Sequence, residues 1–143
     1  FCTTIFGTLE PEGDSVRVRL AAGGHPPALV IRADGDADYL PTPGGMLIGF
    51  LPDPVFTAAE TVLRPGDTML LYTDGLTEAR IGHDRALYGE EALRSRAGGL
   101  APVSPEALIA DFTELLDSFG DGLGDDAALL ALGVPLGNRE RTH

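Results

Sequence analysis

Two aspartates stand where a carboxylate can do chemistry. Asp74 follows the apolar run Met69-Leu70-Leu71-Tyr72 and Thr73 and precedes Gly75, so a short carboxylate rides on the tip of a rigid strand with room for the backbone to turn behind it. Asp125 sits at the opposite kind of end, after Gly124 and just before the apolar run 127–134, with Asp126 beside it. If the two strands are antiparallel neighbours, both carboxylates meet at one edge of a sheet. Two like charges repel there, and a divalent cation that favours hard oxygen ligands, magnesium or manganese, relieves them. The same residues also have a plainer use, because Asp-Gly after a strand is a common turn and Asp125 can cap the turn that opens the last strand.

Other chemistry is thinner. His25 lies between glycines and prolines, where a histidine more often hydrogen-bonds backbone than serves as a ligand or acid, and His83 reads as solvated loop. Ser95, Ser104 and Ser118 have no adjacent histidine or nucleophile-elbow glycines. All ten cations are arginine, so a glycine-rich phosphate loop with its lysine is excluded. The formal charge of −12 repels phosphate backbones, which argues against a nucleic-acid partner and suits cation binding or plain solubility. The single cysteine, Cys2, has no internal disulfide partner and reads as core. No run of about 18 apolar residues suggests a membrane span, and the expectation is a soluble, cytoplasmic chain.

The elements that must position these residues follow from periodicity and turn chemistry. Residues 1–9 read as a strand ended by Glu10-Pro11-Glu12-Gly13-Asp14, and Ser15 to Leu20 alternates Val16, Val18 and Leu20 against Ser15, Arg17 and Arg19, which predicts a hairpin with one wet face. Ala28 to Arg32 is a further strand, with Tyr39 and Leu40 pairing back across Asp34-Gly35. Residues 41–54 read as an irregular loop around a buried Met46–Phe50 anchor. The runs 55–63 and 68–73 are joined by Arg64-Pro65-Gly66-Asp67, whose proline and glycine fit a type II turn and predict a second hairpin. Helices are expected over 89–96 and 105–119, the latter opened by Ser104 as N-cap and Pro105, with Leu108, Ile109, Phe112, Leu115, Leu116 and Phe119 on one stripe. A last strand over 127–134 and a polar tail at 137–143 complete one domain over 1–136, an antiparallel sheet with helices on one face.

In order, Ala22-Gly23-Gly24-His25-Pro26-Pro27-Ala28-Leu29, Leu47-Ile48-Gly49, Leu63-Arg64-Pro65-Gly66-Asp67, Leu70-Leu71-Tyr72-Thr73-Asp74-Gly75-Leu76-Thr77-Glu78-Ala79 and Asp125-Asp126-Ala127-Ala128-Leu129-Leu130 resemble the SpoIIE-like and RsbU-like bacterial branch of the metal-dependent protein phosphatases, relatives of protein phosphatase 2C. The resemblance covers residues 1 to about 135. It implies an α+β fold, part of a four-layer α-β-β-α sandwich of two antiparallel sheets, and hydrolysis of phosphoserine or phosphothreonine at a two-metal centre of magnesium or manganese. It implies that Asp74 and Asp125 are ligands of one metal, with His25, Gly75 and Asp126 in the surrounding shell. The implied partner is a phosphorylated regulatory protein of the anti-sigma-factor antagonist type.

The resemblance also exposes a departure. Members of this branch carry an earlier segment whose Asp-Gly motif supplies the aspartate bridging both metals, and no residue here matches it, so the chain reads as the C-terminal portion of the domain. Two metals about 3.5–4 Å apart generate a hydroxide at neutral pH that attacks phosphorus in line. Without the bridging ligand, weak metal affinity and little turnover are expected, together with self-association of the truncated sandwich through exposed sheet surfaces. The competing readings are a degenerate phosphatase fold that binds a partner without metal and a small all-β ligand-binding barrel, the latter disfavoured by the amphipathic helix at 105–119.

Overall fold

The computed structural model describes residues 3–42, 52, 58–124 and 126–136. Cys2, the Met46–Phe50 anchor, the start of the 55–63 run, Asp125 and the tail at 137–143 lie outside the described residues.

β1 (Thr4–Glu12) and β2 (Ser15–Gly23) form the first hairpin, antiparallel, with Glu12 opposite Ser15. β1 runs through Glu10-Pro11-Glu12, where the sequence suggested a turn. The proline is tolerated because β1 is an edge strand of its sheet, and Gly13, at φ +62°, makes the reversal instead. β2 continues past Leu20 into Ala21-Ala22-Gly23, its small residues still paired with Phe6, Ile5 and Thr4. β3 (Ala28–Ile31) and β4 (Ala37–Leu40) pair as expected.

The second expected hairpin is overturned. β5 (Ala59–Leu63) pairs with β2, whereas β6 (Thr68–Tyr72) pairs with β3, so the two strands belong to different sheets. The turn chemistry itself holds, with Asp67 N–H donating to Arg64 O at 2.8 Å and Gly66 at φ +90°. A tight turn here makes a corner between sheets, and long-range partners decided the pairing. The corner is held by Asp67, 3% exposed, whose carboxylate accepts from Arg32 Nη1, Ala33 N and Arg64 N, each at 2.9 Å. Arg32 reaches on to Val62 O at 2.7 Å and Thr61 Oγ1 at 3.0 Å, tying β5 of one sheet to the end of β3 in the other.

The sheets have orders β1-β2-β5 and β4-β3-β6-β9, the last strand being β9 (Leu129–Gly133). Between them lie Val18, Leu20, Ala28, Val30, Leu63 and Met69, all buried. On the outer face of the second sheet, Leu29, Ile31, Leu70 and Tyr72 pack against Leu93 and Ala97 of α2 (Gly89–Gly99) and Leu108 and Phe112 of α3 (Pro105–Phe119). β6 is therefore covered on both faces, as its unbroken apolar run requires, and each buried leucine-sized side chain contributes roughly 1.5–3 kcal/mol. Ser104 caps α3 by accepting from Ala107 N at 3.1 Å, with Pro105 in the first turn. The result is an α+β fold with two antiparallel sheets face to face and helices outside one of them.

Candidate metal centre

Asp74 emerges from the C-terminal end of β6 and opens α1 (Asp74–Thr77), a single turn in place of the simple reversal that Asp-Gly suggested. Gly75, Leu76 and Thr77 of that turn are buried, which fixes the aspartate on the core, while Asp74 itself is exposed. Its main-chain carbonyl accepts from Glu78 N at 2.8 Å. Its carboxylate accepts no hydrogen bond from a described residue, so both oxygens are available to a hard cation.

β6 and β9 are antiparallel neighbours, the condition on which the meeting of the two aspartates depended, with Tyr72 opposite Leu129. The pairing extends beyond the strands: Thr73 N donates to Ala128 O at 3.2 Å and Ala128 N donates to Thr73 Oγ1 at 2.9 Å. Thr73 flanks α1 as its N-cap residue yet spends its hydroxyl on the neighbouring chain, clipping the segment before β9 against the root of Asp74. The ladder ends there, because α1 begins at Asp74; Asp126, two residues before Ala128, is exposed. Thr73 was missed in the sequence, where nothing distinguishes a strand-end threonine from any other.

His25 sits at the same end of the molecule. With Ile5, Leu71, Thr73, Ala128 and Leu130 it lines a cleft of about 220 Å³ between the two sheets. Its Nδ1 lies 3.0 Å from Pro26 O. A carbonyl only accepts, so Nδ1 is the donor in this contact. The backbone bond agrees with the plainer of its two readings.

Beneath the site, Tyr72 is buried and its hydroxyl has no hydrogen-bond partner among the described residues. The nearby Tyr39 hydroxyl donates to Glu90 O at 2.5 Å. Burial pushes the Tyr72 phenol well above its ordinary range, and the neighbouring Tyr39 and Asp74 push the same way, so it stays neutral.

Asp74 offers unengaged hard oxygens, but among the described residues no three His, Cys, Asp or Glu side chains come close enough together to hold an ion.

Beyond Asp74 the chain forms a two-stranded hairpin, β7 (Arg80–Ile81) with β8 (Ala86–Leu87), that the sequence did not signal. It docks on the 3-10 turn Gly120–Gly122 that follows α3. A Cβ on Gly122 would lie 2.0 Å from Arg80 O, so only glycine permits the approach. The segments that carry Asp74 and Asp125 thus touch twice, at Thr73 and at Gly122.

The sequence model of the family described as Stage II sporulation protein E (SpoIIE) matches residues 1–135. Protein IcfG of Synechocystis sp. is 28% identical over 120 residues, 82% of this chain and 17% of that protein. The structure of the RsbU and RsbW domains of Rv1364c from Mycobacterium tuberculosis superposes with a TM-score of 0.72 at 30% identity, covering 98% of this chain and 41% of that one. The phosphatase domain of SpoIIE from Bacillus subtilis (Mn presoaked) gives a TM-score of 0.68 at 14% identity, a likeness of fold, over 96% of this chain and 59% of that one. The chain thus spans between a sixth and three fifths of the length of these relatives. The order of elements and the matched residues lead to one conclusion: this chain belongs to the SpoIIE family and shares its fold with part of the SpoIIE phosphatase domain.

Proposed function

We propose that residues 1–136 form the C-terminal portion of a metal-dependent protein serine/threonine phosphatase domain, with Asp74 and Asp125 as ligands of one magnesium or manganese ion. The observation that carries this reading is the Asp74 carboxylate, free of hydrogen bonds among the described residues, on a strand end that Thr73 clips to the segment leading into β9. A pair of bound ions would supply a hydroxide at neutral pH and neutralise the phosphoryl oxygens. The chain's own part is positional. α1 anchors Asp74 through its buried residues, Gly75 among them, and Thr73 sets the spacing between the two acidic segments. His25 and Asp126 complete the surroundings.

The substrate we assign is a phosphoserine or phosphothreonine of a regulatory protein of the anti-sigma-factor antagonist type. The relative at 30% identity, in which RsbU and RsbW domains share one chain, supports a regulatory partner. Calorimetric titration of manganese into the full-length protein that carries this segment, and into its Asp74→Asn variant, tests the assignment. Binding should weaken at least tenfold in the variant, since a neutral amide replaces an anionic ligand, and release of phosphate from a phosphoserine peptide should fall by about a hundredfold or more. Equal manganese affinity in both proteins would overturn the assignment of Asp74. Absence of binding in both would leave a phosphatase fold that engages its partner without metal. Residues 1–143 alone should bind manganese weakly and turn over little.

A further inference from the structure

In a chain this acidic, an arginine without a carboxylate needs a reason. Among the described residues, Arg17 and Arg19 pair with Glu60, Arg32 and Arg64 with Asp67, Arg94 with Glu91 and Arg96 with Asp111. Arg80 and Arg85 pair with no described carboxylate, and both stand on the β7–β8 hairpin that follows Asp74. Arg80 Nη1 donates to Arg85 O at 3.1 Å, which holds the two residues together. Arg85 has φ +55°, a left-handed backbone that an arginine seldom adopts, so the hairpin turn keeps it there against a local preference. Both line a cleft of about 370 Å³ between the hairpin and the end of α3, with Ser118, Phe119 and Asp121 on the facing wall. Of the carboxylates at hand, Asp84 Oδ1 accepts from Ala86 N at 3.3 Å and Asp121 lines the same cleft, and neither forms an ion pair with these guanidiniums. Gly122 fixes the hairpin against the turn that leads toward Asp125, so the cleft and the metal edge share one frame.

Arg80 is six residues from Asp74, a chain distance of at most about 20 Å, and the intervening helical turn shortens it. An extended peptide advances about 3.4 Å per residue, so a substrate with its phosphoryl group at Asp74 would lay residues a few positions away over the hairpin. Guanidinium pairs left open at such a place match carboxylates. We propose that the Arg80/Arg85 cleft recognises acidic residues flanking the phosphorylated side chain of the protein substrate, an inference that rests on the phosphatase reading above.

The test uses the full-length protein and two fluorescein-labelled phosphoserine peptides, one with three aspartates beside the phosphoserine and one with three alanines, read by anisotropy. The wild type should bind the acidic peptide about tenfold more tightly, as two exposed charge contacts allow, and the preference should shrink as salt rises. The double variant Arg80→Gln/Arg85→Gln should reduce the preference below about twofold, whereas Arg17→Gln/Arg19→Gln, which removes the same charge from the first sheet, should retain it. Equal preference in the wild type and the Arg80/Arg85 variant, or none in the wild type, would overturn the proposal. Manganese-dependent phosphate release from the same peptides separates the two claims. Charge-selective binding without hydrolysis would sink the phosphatase reading alone, and hydrolysis without charge preference would sink the cleft alone.

Discussion

Asp67 accepts three hydrogen bonds where water is nearly absent. Burial alone would raise its carboxyl above the ordinary range, but the N–H groups of Arg64 and Ala33 and the Arg32 guanidinium outweigh that and hold it below. A carboxylate depressed in this way stabilises the fold fully above the unfolded value, about 3.9, and that stabilisation disappears as pH falls through the lower folded value. Urea unfolding of Asp67→Asn at pH 7 should show a loss of about 2–3 kcal/mol, because an amide leaves the partly buried guanidinium without its counter-charge. The gap between wild type and variant should narrow on acidification below about pH 4; a constant gap down to pH 2 would count against the staple. Asp74 was legible in the sequence because an apolar run ending in Asp-Gly marks a strand tip directly. Asp67 was legible only as a turn residue, since its principal partner, Arg32, lies 35 positions away and no local pattern announces it.

At the scale of elements, local chemistry was read well and pairing less so. The cap at Ser104, the apolar stripe of α3, the alternation of β2 and the turn at Arg64–Asp67 all appeared as expected. The destination of the strands leaving that turn did not, because a tight turn fixes direction without choosing a sheet. The hairpin β7–β8 escaped notice because its two-residue strands carry no periodicity. Its seating on Gly122 gives an element-scale prediction. Gly122→Ala would drive a methyl into the Arg80 carbonyl, so the hairpin or the 3-10 turn must shift. Thermal unfolding should register a loss of about 1–3 kcal/mol, and manganese affinity should fall severalfold although no metal ligand is touched. Gly124→Ala, where an added methyl meets nothing, serves as the comparison; equal effects at both positions would argue against a seating role for Gly122.

Over the molecule as a whole, three of the exposed large apolar side chains stand on the two edge strands β1 and β9. β1 and β9 are edge strands of their sheets, and both line the cleft that holds His25. Leu9 lies opposite Val18 and Leu130 opposite Leu71, which places both on the faces that meet between the sheets, yet they are 56% and 55% exposed. Phe6, on the outer face of β1, is 57% exposed. Residues 1–143 taken alone should therefore associate along these strands, and light scattering should show dimers or larger species. Leu9→Glu with Leu130→Glu should return the chain to monomer; a wild-type segment already monomeric at 100 μM would refute the association.

The clip between Thr73 and Ala128 also bears on chain entropy. It joins residues 55 apart, across the hairpin and both long helices, whereas the β1–β2 hairpin closes within a few residues. Bringing the acidic edge together therefore costs more chain entropy than closing that hairpin, and a chain that stops before β9 lacks one of its two sides.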